Sequence, residues 1–367
     1  MDLAILQDSS PQGNLAILRG NGRGGFRTVK NYLVGGGPYS VAVGDFNGDG
    51  NPDLAVANEG SDGLSVLLGK HDGTFEHQVQ YSVGYFQTSI VAGDFNRDGK
   101  LDLAVSLYSG NPNTIFLLLG NGDGTFQSPI GIPVGINPLY VVAVDFNGDG
   151  NLDLAVLAAN TLWVLLGNGD ATFRPPVPYS LIGSGASMVV GDFNGDGRQD
   201  ISFTAGMNIG ILLGNGDGTF QPATYVPLPY DAVYVTAGDF NADEKLDLAV
   251  SAIYSLNSMI LNTALILLGN GDGTFQSPLT ASAPGGALAV GDFNGDGKLD
   301  LAEASESSAA VLVGNGDGTF RETMYFAVGI YSQYGLAVAD FNHDGKPDLA
   351  VPNNGSGDVS ILLNTTR

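Results

Sequence analysis

Short apolar runs recur along the chain, each broken off by glycine, asparagine or aspartate. A run such as SVAVGDF or YVVAVDF, small and β-branched, leads into an acidic stretch, and DLAV follows it. After a variable segment comes VLLG or ILLG, then an NG or DG turn, the strongest short hairpin signal. A last strand, such as Phe75 to Gly84, ends in glycine and an aromatic-rich loop. These four strands are called A, B, C and D below. No segment sustains a helical period, so the pattern predicts an all-β protein.

The pattern repeats. DFNGDGNPD begins at Asp45, and six further copies begin at Asp94, Asp145, Asp192, Asp239, Asp292 and Asp340, spaced 49, 51, 47, 47, 53 and 48 residues apart. GNGDGTF recurs at Gly120, Gly214, Gly269 and Gly314, with weaker copies at Gly20, Gly69 and Gly167. Four antiparallel strands per repeat is the signature of a β-propeller, here one domain over residues 1–367. A single blade cannot cover both its apolar faces, whereas a closed ring can. The phenylalanines of DFN and GTF recur once per blade and are expected to wedge neighbouring sheets apart.

Seven blades are expected, with eight as the alternative, because the ends do not close neatly. Met1-Asp2-Leu3-Ala4-Ile5 aligns with Pro52-Asp53-Leu54-Ala55-Val56, while Ser360 to Asn364 reads as a C strand with no D strand after it. In a seven-bladed ring Thr28 to Val34 would complete the last blade beside Ile361 to Leu363, leaving the hairpin Leu3 to Leu18 surplus. In an eight-bladed ring the first blade would lack its inner strand. Either way an open strand edge is expected, which another chain or a flanking segment would cover, giving head-to-tail self-association. The opening MDLAILQDSS has no basic head or cleavable apolar run, so either an export signal is already gone or the chain starts in mid-protein.

The acidic loops carry the clearest chemistry. Hard oxygen donors stand at positions one, three, five and nine, and the backbone carbonyl at position seven can add another. In order along the chain these are Asp45, Asn47, Asp49, Asn51 and Asp53; Asp94, Asn96, Asp98, Lys100 and Asp102; Asp145, Asn147, Asp149, Asn151 and Asp153. They continue as Asp192, Asn194, Asp196, Arg198 and Asp200; Asp239, Asn241, Asp243, Lys245 and Asp247. The last two sets are Asp292, Asn294, Asp296, Lys298 and Asp300, and Asp340, Asn342, Asp344, Lys346 and Asp348. Such a set approaches the six to eight oxygens Ca²⁺ prefers, while Mg²⁺ demands a stricter octahedron. A plain Asx-rich turn is the alternative, but three carboxylates converging in each loop would repel one another without counter-ions. Up to seven Ca²⁺ are expected, and their +14 would bring the formal charge from −24 to −10. In the fifth loop Glu244 replaces the turn glycine, so strain at positive φ and weaker or altered binding are expected there.

This DxNxDGxxD loop inside a repeat of about fifty residues resembles the FG-GAP/VCBS repeat. That family includes the seven-bladed propeller of integrin α subunits and calcium-containing fungal and bacterial lectins. The resemblance covers the whole chain and implies calcium ligands on every copy of the loop, except at Glu244. It also implies an extracellular or cell-surface location. It is poorly specific for function, since the family spans adhesion, sugar binding and domains attached to enzymes. No integrin ligand-binding insertion is recognisable.

Charge and composition narrow the choice. With 38 acidic against 14 basic side chains, nucleic acid and anionic membranes are poor partners. The absence of cysteine excludes disulfides and thiolate chemistry. No apolar stretch is long enough for a transmembrane helix. The acids outside the repeats, among them Glu303 and Asp358, read as scattered, mostly in variable loops. His71, His77 and His343 form no metal or catalytic array, and no GxSxG occurs, so no enzyme is expected.

Binding is the expected role. The B–C and D–A connections share the face opposite the acidic loops, and the D–A loops are aromatic: Tyr39, Tyr85, Phe86, Tyr140, Tyr230, Tyr234, Tyr331 and Tyr334. Such rings beside Asn, Ser and Gly stack on sugars or anchor protein partners. The alternative is that they plug the channel or pack between blades. Trp163 reads as core, and Ser251 to Thr263 as a lid, a contact surface or an excursion. The leading function is a calcium-binding extracellular adhesion or partner-binding module, with a glycan or protein ligand at the cell surface. The alternatives are a calcium-dependent lectin and a structural subunit of a head-to-tail surface filament.

Overall fold

A computed structural model describes residues 2–7, 14–19, 32–108, 114–135, 137–256, 259–281, 283, 285–305, 308–328 and 334–364. The described strands form seven sheets, the blades of a seven-bladed β-propeller; six are antiparallel throughout, and the one that joins the chain ends also holds parallel pairs. Blade 1 runs in space as Pro38–Gly44, Asp53–Asn58, Leu64–Leu67 and Val79–Tyr81, the expected order A to D. The B strand of blade 1 buries every residue because a blade is covered on both faces: Leu54, Ala55 and Val56 are fully inaccessible. That is why such strands read as continuous apolar runs rather than alternating ones. The D strands lie outermost and largely exposed. The A strands line the central channel, where a cavity of about 220 Å³ is bounded by residues such as Ser40, Ser89 and Ser187.

The phenylalanine wedges are where the repeat predicted them. Six of the seven DFN rings meet the GTF ring of the next blade, as in Phe46 with Phe126, Phe95 with Phe173 and Phe146 with Phe220, at 5.3–6.2 Å. The DFN carbonyl also accepts the amide of the next turn, for example Gly124 N–H to Phe46 O at 3.0 Å. Phe341 of the last blade packs on Phe75 of blade 1 at 5.8 Å, which closes the ring.

The chain ends share one sheet, in the order Asp2–Gln7, Asn14–Arg19, Asp358–Leu363, Asp348–Asn353, Ala337–Ala339. The amino-terminal hairpin is therefore not surplus. Asn14–Arg19 runs parallel to Asp358–Leu363, with Ile17 opposite Ile361. Of the latter segment, Leu33 bridges Asp358 antiparallel, and the Tyr32 hydroxyl accepts the Phe75 amide at 2.7 Å. Residues 28–31 lie outside the described residues. The Asp358–Leu363 edge, on which self-association was expected to rest, thus has a strand of the same chain beside it.

Candidate metal loops and a tyrosine-lined mouth

Each acidic loop is organised by its own backbone. In the first, Asp45 Oδ1 accepts the amides of Gly48 and Asp49 at 2.8 and 3.1 Å, and its Oδ2 accepts that of Gly50 at 2.8 Å. Asn47 accepts the Asp49 amide at 2.9 Å and donates its side-chain amide to Asp49 Oδ2 at 3.1 Å. Positions one, three and five are therefore drawn together and fixed, the first two half-buried and the third exposed. Glu244 does stand at φ 65°, yet its amide keeps the bond to Asp239 Oδ2 at 2.8 Å, so the fifth loop retains the common backbone geometry. Position four is also left-handed, which the sequence reading missed: Arg97, Ala242 and His343 have φ between 56° and 61°.

The ninth aspartate behaves differently. Asp53 is fully buried, and its two oxygens accept the amides of Phe46 at 2.8 Å and Gly69 at 2.6 Å, clamping the A–B loop to the end of strand C. The same pair of bonds recurs at Asp102, Asp153, Asp200, Asp247, Asp300 and Asp348. Burial pushes the Asp53 and Asp153 carboxyls up to about 6 and Asp300 to about 7, against the pull of these amides. Gly69 has no room for a side chain, since a Cβ there would lie 2.1 Å from the Pro52 carbonyl. Among the described residues no three acidic or histidine side chains converge closely enough to hold a metal. The expected convergence of three carboxylates is therefore not met in this geometry, because the ninth is engaged by buried amides. The donors at positions one, three and five are nonetheless hard oxygens already held in place, a chemistry that fits Ca²⁺. The DG turns bind no second cluster: Asp123 Oδ1 accepts the Thr125 amide and hydroxyl, as a hairpin turn requires.

The opposite face holds a cavity of about 330 Å³ at the channel mouth, and all seven blades contribute to it. Tyr39, Tyr140, Tyr234 and Tyr334 line it, with Thr88, Ala186, Ile253, Asn262 and Gly285–Gly286. Tyr39 and Tyr334 stack at 4.5 Å, and Tyr234 donates its hydroxyl to the Tyr334 carbonyl at 3.0 Å. Burial raises the Tyr39, Tyr140 and Tyr234 hydroxyls above the ordinary tyrosine range, so all three stay neutral donors. The four rings line this cavity, and Tyr140, Tyr234 and Tyr334 also line the channel cavity of about 220 Å³. Tyr85 and Phe86 do not join them but stand exposed, Phe86 at φ 63°. Tyr230 stacks on Tyr254 at 4.3 Å, outside the cavity. Tyr331 lies outside the described residues. Trp163 is half-buried against the core, as expected. The segment Ser251 to Thr263 continues the B–C hairpin of blade 5, Asp247–Leu256 with Met259–Leu267, and so carries Ile253 and Asn262 to the mouth.

Glu303 is not in a variable loop. It lies in strand B of blade 6, Asp300–Ala304, where the other blades carry Val56, Val105, Val156, Phe203, Val250 and Val351. It is fully buried, and neither carboxylate oxygen has a hydrogen-bond partner. Burial pushes it up to about 8; the Gly285 amide and Ser251 hydroxyl oppose this, although neither reaches hydrogen-bonding geometry. Asp358 is likewise a buried strand residue, with Oδ1 accepting from Asn353 at 3.1 Å.

Known proteins share this architecture. A lectin from Agrocybe aegerita that recognises non-reducing terminal N-acetylglucosamine is 19% identical, with TM-score 0.62 over 97% of this chain and 95% of that one. A protein from Desulfotomaculum acetoxidans whose function is unknown is 11% identical, with TM-score 0.62 over 96% and 99%. One from Lactobacillus plantarum is 11% identical, with TM-score 0.61 over 91% and 98%. At such identities the likeness is one of fold. None of the curated proteins matches the chain. The FG-GAP-like repeat family matches at residues 1–56, 45–105, 104–156, 145–203, 192–250, 253–303 and 292–351, overlapping copies that run through nearly all of the sequence, and the chain belongs to that family.

Proposed function

We propose that the protein is a calcium-stabilised binding module, displayed outside the cell, whose channel mouth receives a glycan. The observation that carries this is the mouth itself: one cavity assembled by all seven blades, whose described lining residues include four tyrosines and no Asp, Glu, His, Lys or Arg. Its volume, about 330 Å³, falls in the range of small-ligand sites. Tyrosine faces beside the amide of Asn262 and the hydroxyl of Thr88 are suited to a sugar ring, apolar on one side and hydroxylated at its edge. A wall without ionisable acids or bases other than phenols favours binding over catalysis. The sugar specificity of the similarly folded Agrocybe lectin supports a glycan as the ligand class.

Calcium would be held by positions one, three and five of each loop and the carbonyl at position seven. It would neutralise the acidic face and lock the blade ends. FG-GAP repeats are typical of extracellular proteins, and among the described residues no helix is long and apolar enough to cross a membrane. Adhesion to a protein is a second reading, carried by Phe86. This ring is exposed although its backbone is strained, and it is fixed by hydrogen bonds to Glu59 and Tyr108 at 3.0 and 2.9 Å.

A glycan array with and without chelator tests the proposal. Binding that the exposed-to-bulky change Ala186→Trp abolishes, and that EGTA weakens, is expected. Glycan binding that this variant leaves intact contradicts the mouth as the site.

A further inference from the structure

We propose that the last blade is a docking site with two rival occupants: the amino-terminal hairpin, Asp2–Gln7 with Asn14–Arg19, also fits the place of strands B and C that Asp348–Asn353 and Asp358–Leu363 hold. The pairing register leads to this. In the repeat, Met1-Asp2-Leu3-Ala4-Ile5 matches Pro347-Asp348-Leu349-Ala350-Val351, and Asn14–Arg19 matches Asp358–Leu363. Leu3, Ala4 and Ile5 lie parallel to Leu349, Ala350 and Val351, and Ala16 to Arg19 parallel to Ser360 to Leu363, each residue beside its own counterpart. Both B strands also claim one partner in one register. Leu362 and Ile361 pair antiparallel with Leu349 and Ala350, and equally with Leu3 and Ala4. Two copies of one repeat unit thus meet at a single place in the ring.

By sequence the amino-terminal copy suits that place better. The clamp of the ninth aspartate wants glycine opposite it: in six blades a Cβ on Gly69, Gly120, Gly167, Gly214, Gly269 or Gly314 would fall 2.1–2.2 Å from a backbone carbonyl. In the last blade Asn364 stands there, its backbone amide donating to Asp348 Oδ1 at 2.9 Å. The amino-terminal copy carries Asp2 and Gly20 at these two positions. Strand D points the same way. The Tyr32 ring meets Phe75 edge-on at 5.5 Å and its hydroxyl accepts the Phe75 amide at 2.7 Å. Tyr179 of a D strand does the same for Phe220 of the next blade, at 5.7 and 3.2 Å. Twelve positions separate Gly20 from Tyr32, as they do Gly69 from Tyr81 and Gly167 from Tyr179. The hairpin is therefore tethered, at the spacing of a blade, to a ring that already holds Tyr32. Such a tether raises its effective concentration above that of a second copy. Exchange alters the mouth face, because the turn in which Asn354 donates to Glu59 Oε2 at 3.0 Å gives way to residues 8–13.

A carboxylate placed in either hairpin of the full chain tests the rivalry. In blade 3 Ala155→Asp introduces it at a fully buried site with no rival strand, and should lower the urea midpoint sharply. Ala350→Asp, at the equivalent buried site of the last blade, should lower it far less, because the amino-terminal hairpin takes over. Ala4→Asp alone should be mild, while Ala4→Asp with Ala350→Asp should lose as much as Ala155→Asp, a strongly non-additive pair. By light scattering the Ala350→Asp variant should stay monomeric. A loss from Ala350→Asp as large as that from Ala155→Asp, whatever stands at position 4, overturns the proposal. So does a dimer, which would make a second copy's hairpin the occupant. Hydrogen exchange read by mass spectrometry needs no buried charge. Amides of both terminal hairpins should exchange faster than those of Asp153–Ala158 in blade 3. Asn364→Gly should slow exchange in 348–363 and speed it in 2–19. Protection of 348–363 equal to that of blade 3, unmoved by Asn364→Gly, overturns the proposal as well.

Discussion

Replacing Glu303 by valine should make the protein more stable, and increasingly so as the pH rises. The side chain sits in a slot that other blades fill with valine, so the change restores the local packing of Val56 or Val250. Its folded-state value of about 8 lies well above the ordinary 4.5. Over that interval the unfolded chain has released the proton while the folded chain retains it. Stability therefore falls as pH rises from about 4.5, by ~1.4 kcal/mol per unit, until the folded carboxyl itself ionises near 8. Between pH 5 and pH 8 the wild type should lose about 3 kcal/mol from this one group, allowing for the turnover at each end. Every other titration is common to both proteins, so the difference between them isolates Glu303. With unfolding entropy near ~2.1 cal/mol/K per residue, that is a gap in melting temperature roughly 4 °C wider at pH 8 than at pH 5. Thermal melts of both proteins at pH 5, 6.5 and 8, at fixed calcium, read it directly. A gap that stays constant across the three pH values would refute the reasoning, because it would mean the acid is solvated or paired.

Removing calcium with excess EGTA should lower the melting temperature, since one site at a hundredfold excess over Kd contributes about 2.7 kcal/mol; an unchanged melt of metal-free protein contradicts the calcium proposal. Asp292→Ala should lower calcium-dependent stabilisation more than Asp239→Ala, whose loop already carries Glu244 at φ 65°; equal losses, by melting with and without calcium, count against that ranking. Asp153→Ala leaves two buried amides unsatisfied and should cost roughly 3 kcal/mol in urea unfolding, whereas Asp123→Ala, at a fully exposed turn, should leave the urea midpoint nearly unchanged. Glu244→Gly removes a side chain from left-handed backbone and should stabilise by about 1 kcal/mol in the same assay; no gain means the loop had already absorbed the strain.

The blades were legible because each repeat carries its own hairpin chemistry and its own pair of wedge phenylalanines, and both depend on residues close in sequence. The acidic loops were legible as loops, and positions one, three and five as a preorganised donor set. The amide clamp of the ninth aspartate was not legible, because its partner, such as Gly69 for Asp53, lies on another strand end, and nothing in DxNxDGxxD points to it. The mouth was half legible. Aromatic D–A loops marked the right face, but Tyr85 and Tyr39 look alike in sequence, and only ring geometry separates the exposed one from the one in the cavity. Glu303 did have a signal. Aligning DLAEA with DLAVA places an acid at a position that otherwise holds Val or Phe, which marks it as a strand residue rather than one of scattered loop acids. The closing of the ring depended on Tyr32 and Phe341 reaching blade 1 from opposite ends of the chain, which no local pattern encodes.

The most direct measurement is a crystal structure of the calcium-loaded chain with the best glycan from the array. The account predicts the sugar at the channel mouth, against Tyr39, Tyr140, Tyr234 and Tyr334 and within reach of Asn262. A sugar bound on the outer D strands, between blades or on the acidic face, with the mouth filled only by solvent, would contradict it.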